Sequence, residues 1–212
     1  MSARIPQVSV KRLPVYLRAL SGLAARRVEI VSSADLARLT GFSSEQIRKD
    51  LAYFGSFGTR GVGYHTDALL ERIRRVLGLH RDIAVALVGA GHLGTALARY
   101  NQGQEHHVEI RAIFDADPAK IGQAIGGTAV LDVRDLGATV RAQGIRLAVV
   151  AVPAAQAQGV VAELCAAGVE AILNFAPVRL EVPPSVHVEN IDLSQALQSL
   201  AFYTALGANE HG

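Results

Sequence analysis

Positions 88–97 of the chain read VGAGHLGTAL, directly after the apolar run AVAL at 84–87. A short β-run, a glycine-rich turn and the opening of a helix are how a dinucleotide-binding βαβ unit begins. Within GAGHLG, Gly89 permits the tight turn, Gly91 lets backbone approach a pyrophosphate, and Gly94 allows close helix packing. Ala90, His92 and Leu93 fill the positions between, and N–H groups at the helix N-terminus meet the phosphates. Asp115 lies 21 residues beyond Gly94, at the end of IRAIF. A carboxylate there accepts both adenosine ribose hydroxyls and repels a 2′-phosphate, which favours NAD(H) over NADP(H). His92 either faces the pyrophosphate or is a solvent-facing helix residue.

From Ile83 onward the pattern alternates strand and helix. Strands are expected near 84–88, 108–113, 127–130, 147–152, 169–174 and 186–191, with helices near 92–101, 133–142 and 154–167. That alternation is the sequence form of a parallel sheet with crossover helices. The expected nucleotide domain spans 81–190, and a final helical segment, DLSQALQSLAFYTALG, falls within 191–212.

The eighty residues ahead of this domain are of another kind. Residues 1–80 hold 13 Lys and Arg against 6 Asp and Glu, whereas residues 81–212 hold 8 against 13. A basic half joined to an acidic one points to an anionic partner for the first. VSVKRLPVYLRALSGLAA has apolar residues at Val10, Leu13, Leu17, Leu20 and Leu23, a helical spacing. ADLARLT and SEQIRKDLAYF flank a Gly41-Phe42-Ser43 turn, and Ser43 with Gln46 makes a capping-box signature. Ile47, Leu51 and Phe54 give the second helix one buried stripe, with Arg48 and Lys49 outside it. Residues 33–54 thus match a helix-turn-helix. Ser43, Ser44, Gln46, Arg48 and Lys49 become candidates for phosphate or base-edge contacts, with Tyr53 just beyond. GSFGTRGVGY forms a glycine-framed loop with Arg60 at its tip, suited to a wing in the minor groove. The bland alternative is a three-helix bundle with a solvated basic face. An amphipathic stretch, ALLERIRRVLGL, closes the segment.

Other functions are disfavoured. Cys165 is the only cysteine, so no internal disulfide and no cysteine-built zinc site is expected, and it reads as a plain buried thiol. His106 and His107 are adjacent and would point to opposite sides of a strand, so no metal is assigned to them. MSARIPQVSVKRLP lacks the apolar core of a signal peptide and no apolar stretch is long enough to span a membrane, so a cytoplasmic protein is expected. After the sixth strand only about twenty residues remain, too few for a substrate domain, and no catalytic residue is assigned. The nucleotide is expected to be sensed rather than used. The final helix is apolar nearly all round, from Leu193 through Leu206, which predicts burial against a second subunit. A two-fold homodimer would match a palindromic site on double-stranded DNA.

Across nearly its whole length the chain resembles the Rex family of redox-sensing transcriptional repressors. The resemblance rests on KRLPVYLRAL, SSADL, QIRKDLAYFGSFGTRGVGY, VGAGHLGTAL, FDADPAKIG, Val152-Pro153, ILNFAPVRL and NIDLSQALQSL. It implies an α/β protein with an N-terminal winged-helix domain (1–80), an NAD(H)-binding Rossmann domain and a domain-swapped C-terminal helix. It also implies binding to an inverted-repeat operator, with release by NADH. By resemblance Lys49 touches base edges, while Arg12 and Arg60 face phosphate or the minor groove. Asp115 holds the adenine ribose, and Val152, Pro153, Asn174, Phe175, Ala176 and Pro177 line the cofactor. Asp192 pairs with Arg18 of the partner subunit in the DNA-binding state, and meets Tyr100 near the nicotinamide in the NADH state. Leu193 stands where some relatives carry an aromatic residue. Two rival readings are a repressor responding to another adenine nucleotide, such as coenzyme A, and a minimal NAD-dependent oxidoreductase.

Overall fold

A computed structural model of the chain describes residues 5–55, 58–59, 61–101 and 107–209, with side chains to residue 204. It divides into two compact units, Met1–Arg81 and Asp82–Gly212.

In the first unit, helices α1 (Gln7–Ala25), α2 (Ser33–Thr40), α3 (Ser44–Ala52) and α4 (Thr66–Val76) accompany two short strands. These are β1 (Ile30–Val31) and β2 (Tyr64–His65), paired antiparallel. A full capping box starts α2: the Ser32 hydroxyl accepts the Asp35 N–H at 3.1 Å, and the Asp35 carboxylate accepts the Ser32 N–H at 2.9 Å. Gly41 ends it in the left-handed region, at φ +76°. At α3 only half of the expected box forms. Ser43 Oγ accepts the Gln46 N–H at 3.1 Å, but the Gln46 amide donates to Asp50 at 3.0 Å instead of reaching back. An ionised acceptor outcompetes a backbone cap.

Leu13, Tyr16 and Leu20 of α1 pack with Leu36, Ile47, Leu51, Leu69 and Ile73 to form this unit's core. Val10, expected in the α1 stripe, is 41% exposed. The buried face is set instead by Tyr16, fully buried because its hydroxyl finds Asp50 at 2.7 Å. Beyond α3, Thr59 and Gly63 exchange backbone hydrogen bonds of 3.0 and 3.1 Å, closing a narrow hairpin. Gly63 has φ +115°, and a Cβ there would lie 2.7 Å from the Val31 carbonyl oxygen, so only glycine fits. Helices plus hairpin make a winged helix. Arg60, expected at the wing tip, lies outside the described residues.

The second unit is built on a seven-stranded sheet in the order β5-β6-β4-β3-β7-β8-β9. The strands are β3 (Ile83–Val88), β4 (Val108–Asp115), β5 (Ala124–Ile125), β6 (Thr128–Asp132), β7 (Leu147–Val150), β8 (Ala171–Asn174) and β9 (His187–Asn190). All neighbours are parallel except β5 and β6, a small antiparallel hairpin that the sequence pattern did not anticipate. Leaving the edge strand β5 aside, the remaining six strands, numbered in chain order, are arranged 3-2-1-4-5-6, the doubly wound order. Strand order reverses between β3 and β7, and there a ligand crevice opens at the carboxyl ends.

Coverage of the two sheet faces is unequal. One face carries α6 (Leu136–Ala142) and α7 (Ala154–Ala166), whose Leu136, Val140, Val161 and Leu164 pack on Ala86, Val88, Ala148, Val150 and Ile172. The other face carries α5 (His92–Asn101), which packs Ala98 toward Leu87 and Ile113. Past α5 an apolar groove of about 420 Å³ remains, lined by Val85, Leu97, Tyr100, Leu147, Val149 and Leu173 among others. The last helix, α8 (Leu193–Asn209), shows the converse. Leu193, Leu197, Leu200, Phe202 and Tyr203 are each at least 60% exposed. No helix among the described residues is long and apolar enough to cross a membrane.

Candidate functional site

The crevice at the switch point is a cleft of about 960 Å³. Its wall begins with the turn after β3. Gly89 adopts φ +103°, and a Cβ on it would collide with the Ala151 carbonyl. Gly94, in the first turn of α5, leaves no room for a Cβ against the Gly89 carbonyl, so helix and turn are in direct backbone contact. Gly91 differs: a Cβ there meets nothing within 4 Å, and the residue lines the cleft. The open space beside it and the N–H groups of the first turn of α5, which lack intrahelical acceptors, suit a pyrophosphate.

Asp115 closes one end. Its Oδ2 accepts the Ala90 N–H at 2.7 Å and the Lys120 ammonium at 3.0 Å, and its Oδ1 accepts the Asp117 N–H at 2.9 Å. Burial raises its pKa, but the bonds from Asp117, Lys120 and Ala90 outweigh burial and hold the carboxyl below its usual range. It is therefore ionised at neutral pH. Val152, Pro153 and Phe175 line the cleft with Val133, Gln156 and Val160, a mostly apolar wall.

In the first unit the exposed face of α3 carries Glu45, Arg48 and Lys49. Ile47 and Leu51, 0% and 2% exposed, anchor the opposite face. Burying two such side chains is worth about 3–6 kcal/mol together, which fixes the presentation of the outer face. Arg48 donates to Ser33 Oγ at 2.9 Å; the Lys49 side chain has no hydrogen bond or ion pair among the described residues. Behind the helix lies a polar network centred on Asp50, which is fully buried. Arg12 grips it with two bonds, Nε at 2.6 Å and Nη2 at 2.7 Å, while Tyr16 and Gln46 add 2.7 and 3.0 Å. Burial raises the Asp50 pKa; the donors outweigh it and bring it down to about 2.

Two family profiles match: one described as "Putative DNA-binding protein N-terminus" over residues 4–52 and one described as "CoA binding domain" over 80–178. Over 201 residues the chain is 48% identical to the redox-sensing transcriptional repressor Rex of Natranaerobius thermophilus, covering 95% of this chain and 92% of that one. The Rex of Streptomyces coelicolor is 46% identical over 209 residues, covering 99% and 81%. The chain belongs to the Rex family. Among solved structures, the Rex-family repressor RSP in complex with β-NAD+ and operator DNA is 32% identical. It superimposes with a TM-score of 0.91 over 99% of this chain and 96% of that one. RSP in complex with β-NADH is 30% identical, with a TM-score of 0.85 over 99% and 98%.

Set beside the Rex resemblance, the residues sort into three groups. Gly89, Gly91, His92, Leu93, Asp115, Val152, Pro153 and Phe175 come together around one cleft. Ala90, Gly94, Asn174 and Ala176 are buried behind it. Asn174 donates to the Ala176 and Val178 carbonyls and to Asn190 Oδ1 at 2.9 Å, so it shapes the Phe175 loop rather than lining the cleft. Pro177 is exposed outside the lining.

Three placements depart from expectation. Tyr100 sits eight residues along α5 from His92, about 12 Å, and lines the apolar groove instead of the cleft. Arg12 does not present its guanidinium edge outward: a buried carboxylate holds it, with its side chain 16% exposed. Ser43 and Gln46 have structural duties, as cap and as Asp50 donor. Arg18 and Ser44 remain at least partly accessible, as does Tyr53 at the end of α3, and Asp192 caps α8 by accepting the Ser194 and Gln195 N–H groups. Sequence reasoning missed Ala116, Asp117 and Lys120 in the cleft, although FDADPAKIG places them directly after Asp115. It also missed Asp50, a charge in the buried rank of α3 that required a partner.

Proposed function

We propose that this Rex-family chain is a DNA-binding transcriptional repressor that senses the NADH/NAD+ balance and performs no catalysis. The observation that carries this reading is the full-length likeness to a Rex-family repressor solved on operator DNA with β-NAD+. Supporting it, the winged helix offers an exposed, basic α3 face, and the nucleotide unit has a cleft that suits a dinucleotide. Lys49 and Arg48 would reach base edges and phosphates in the major groove, with Ser44 and Tyr53 beside them; Arg12 would act through Asp50 by setting the pitch of α3.

In the cleft, Gly91 and the first turn of α5 would receive the pyrophosphate and Asp115 the adenine ribose, with Val152, Pro153 and Phe175 along the nicotinamide half. Oxidised nicotinamide is cationic and reduced nicotinamide neutral. An apolar wall without a counter-charge disfavours the cation, so such a pocket prefers NADH.

The working form would be a homodimer in the cytoplasm. The half-bare sheet face and the apolar, exposed α8 are complementary, and a swap of α8 between two copies would bury both. Residues 191–212 would then be the dimerisation segment, and Tyr100, in the groove, would meet the helix of the partner. Asp192, at the root of that helix, would alternate between Arg18 of the partner subunit and Tyr100. NADH would bias that two-state element and change the spacing of the two α3 helices.

The "CoA binding domain" match supports a second reading, a repressor responding to coenzyme A. The ribose-facing carboxylate favours hydroxyls over the 3′-phosphate of that ligand. Both are tested by titrating the protein onto a labelled duplex bearing an inverted repeat from its own promoter regions, at fixed salt because phosphate contacts are salt-dependent. Arms contain no nucleotide, NAD+, NADH or coenzyme A. Binding released by NADH alone supports the proposal; release by coenzyme A alone transfers it to the second reading; indifference to every nucleotide refutes both.

A further inference from the structure

The ribose end of the cleft contains a cation that the NAD-binding fingerprint does not call for. Lys120 Nζ lies 3.0 Å from Asp115 Oδ2 and 3.8 Å from an Asp117 carboxylate oxygen, and all three residues line the cleft. The Lys120 side chain is 36% exposed and that of Asp115 12%, so the pair sits at the cleft wall with the ammonium nearer solvent.

Three donors converge on the Asp115 carboxylate: the Ala90 N–H, the Asp117 N–H and the Lys120 ammonium. Two belong to backbone held by the β3 and β4 turns, so their positions do not depend on the carboxylate alone. Taken without Asp115, this is a site for an anion: one N–H and a cation aimed at the position of Oδ2, and a second N–H at that of Oδ1. With Asp115 in place, two carboxylates and one ammonium leave the corner net negative, which repels a ribose phosphate. In dinucleotide folds the carboxylate selects ribose hydroxyls, while a nearby cation accommodates a 2′-phosphate. This chain holds both, within hydrogen-bonding distance of each other.

We infer that Lys120 is a latent anchor for the 2′-phosphate of NADPH, masked by Asp115, so that one residue alone keeps this cleft selective for NADH. The inference rests on the proposed NAD(H) reading of the cleft. When Asp115 is removed, a phosphate oxygen takes the carboxylate's place against the same three donors.

The test measures NADH and NADPH dissociation constants by the fluorescence of the reduced nicotinamide. It uses full-length wild type, Asp115→Ser, Lys120→Ala and the double variant, at one ionic strength. The Asp115→Ser chain should bind NADPH at least about tenfold more tightly than wild type does, the scale of one charge-assisted hydrogen bond. The double variant should lose that gain. Lys120→Ala alone should weaken NADH by only a few-fold, since two N–H donors still hold Asp115. Asp115→Asn, which keeps the side-chain shape, should show a smaller gain in the same direction and serves if the serine variant does not fold. No gain for NADPH in either variant, or a gain that survives loss of Lys120, overturns the inference. Failure of wild type to bind NADH refutes instead the reading on which it rests.

Discussion

Replacing Asp50 tests how the outer face of α3 is held. Its pKa of about 2, against an ordinary 3.8, corresponds at 1.36 kcal/mol per pH unit to roughly 2 kcal/mol of stability near neutrality. Breaking a fully buried pair by removing one partner costs about 3–5 kcal/mol. Here Arg12 is 16% exposed and can regain some hydration, so Asp50→Ala should cost about 3 kcal/mol, and Asp50→Asn, which keeps part of the hydrogen bonding, about 2. Hydrogen exchange with mass spectrometry on the full chain reads this locally: protection of α1 and α3 peptides should fall about 30- to 150-fold, and that of the sheet should not change. The folded pKa is depressed, so the contribution is complete above about pH 4 and is lost as pH falls toward 2. Wild type should therefore lose α1 and α3 protection over that range, while Asp50→Asn should lack this component. Changing both Arg12 and Asp50 to Met should recover more than half of the loss, since a buried pair replaced by apolar groups is near neutral. A change in protection below threefold in Asp50→Asn, or acid behaviour identical to wild type, would refute the reasoning.

Gly91→Ala and Gly94→Ala should separate binding from folding: the first enters open space and should abolish NADH binding with little change in melting temperature, whereas the second overlaps the Gly89 carbonyl and should cost about 1–3 kcal/mol as well. Leu197→Glu with Leu200→Glu, both on exposed α8, should convert the protein to a monomer in analytical ultracentrifugation and remove operator binding; an unchanged dimer would refute the swapped-helix proposal. Burial pushes the Cys165 thiol pKa up, so iodoacetamide should modify it several-fold more slowly than a free thiol at pH 8 and rapidly only in urea.

Much of the nucleotide unit is legible along the chain because its determinants are local. A strand, a turn requiring φ above zero at Gly89 and a helix beginning at His92 are consecutive, and the acidic residue at the end of β4 follows at a fixed distance. The strand near 127–130 was legible as β6, but its hairpin partner β5 escaped because a two-residue strand ahead of Gly126-Gly127 leaves no hydrophobic period to read. The helix-turn-helix was legible through Gly41 and Ser43, each of which acts within four residues of its own position, whereas the Ser32 capping box emerged only in the structure.

The charged groups behaved differently. Arg12 and Asp50 are 38 residues apart, and nothing near either one announces the other; an arginine in a basic segment reads as a surface contact until packing turns it inward. Tyr100 was assigned to the cleft, yet helix length carries it to the groove. Asn174 and Asn190 lie on neighbouring strands and meet only through sheet register. Local spacing and turn chemistry thus dictate most of the helices, strands and turns, the short β5 excepted, and where a phosphate can approach backbone, since those depend on dihedral angles and spacing within a few residues. Which charges are paired, and hence which remain to face a ligand, is decided by the tertiary structure, because the cost of burying a charge depends on partners that only the folded chain brings within 3 Å.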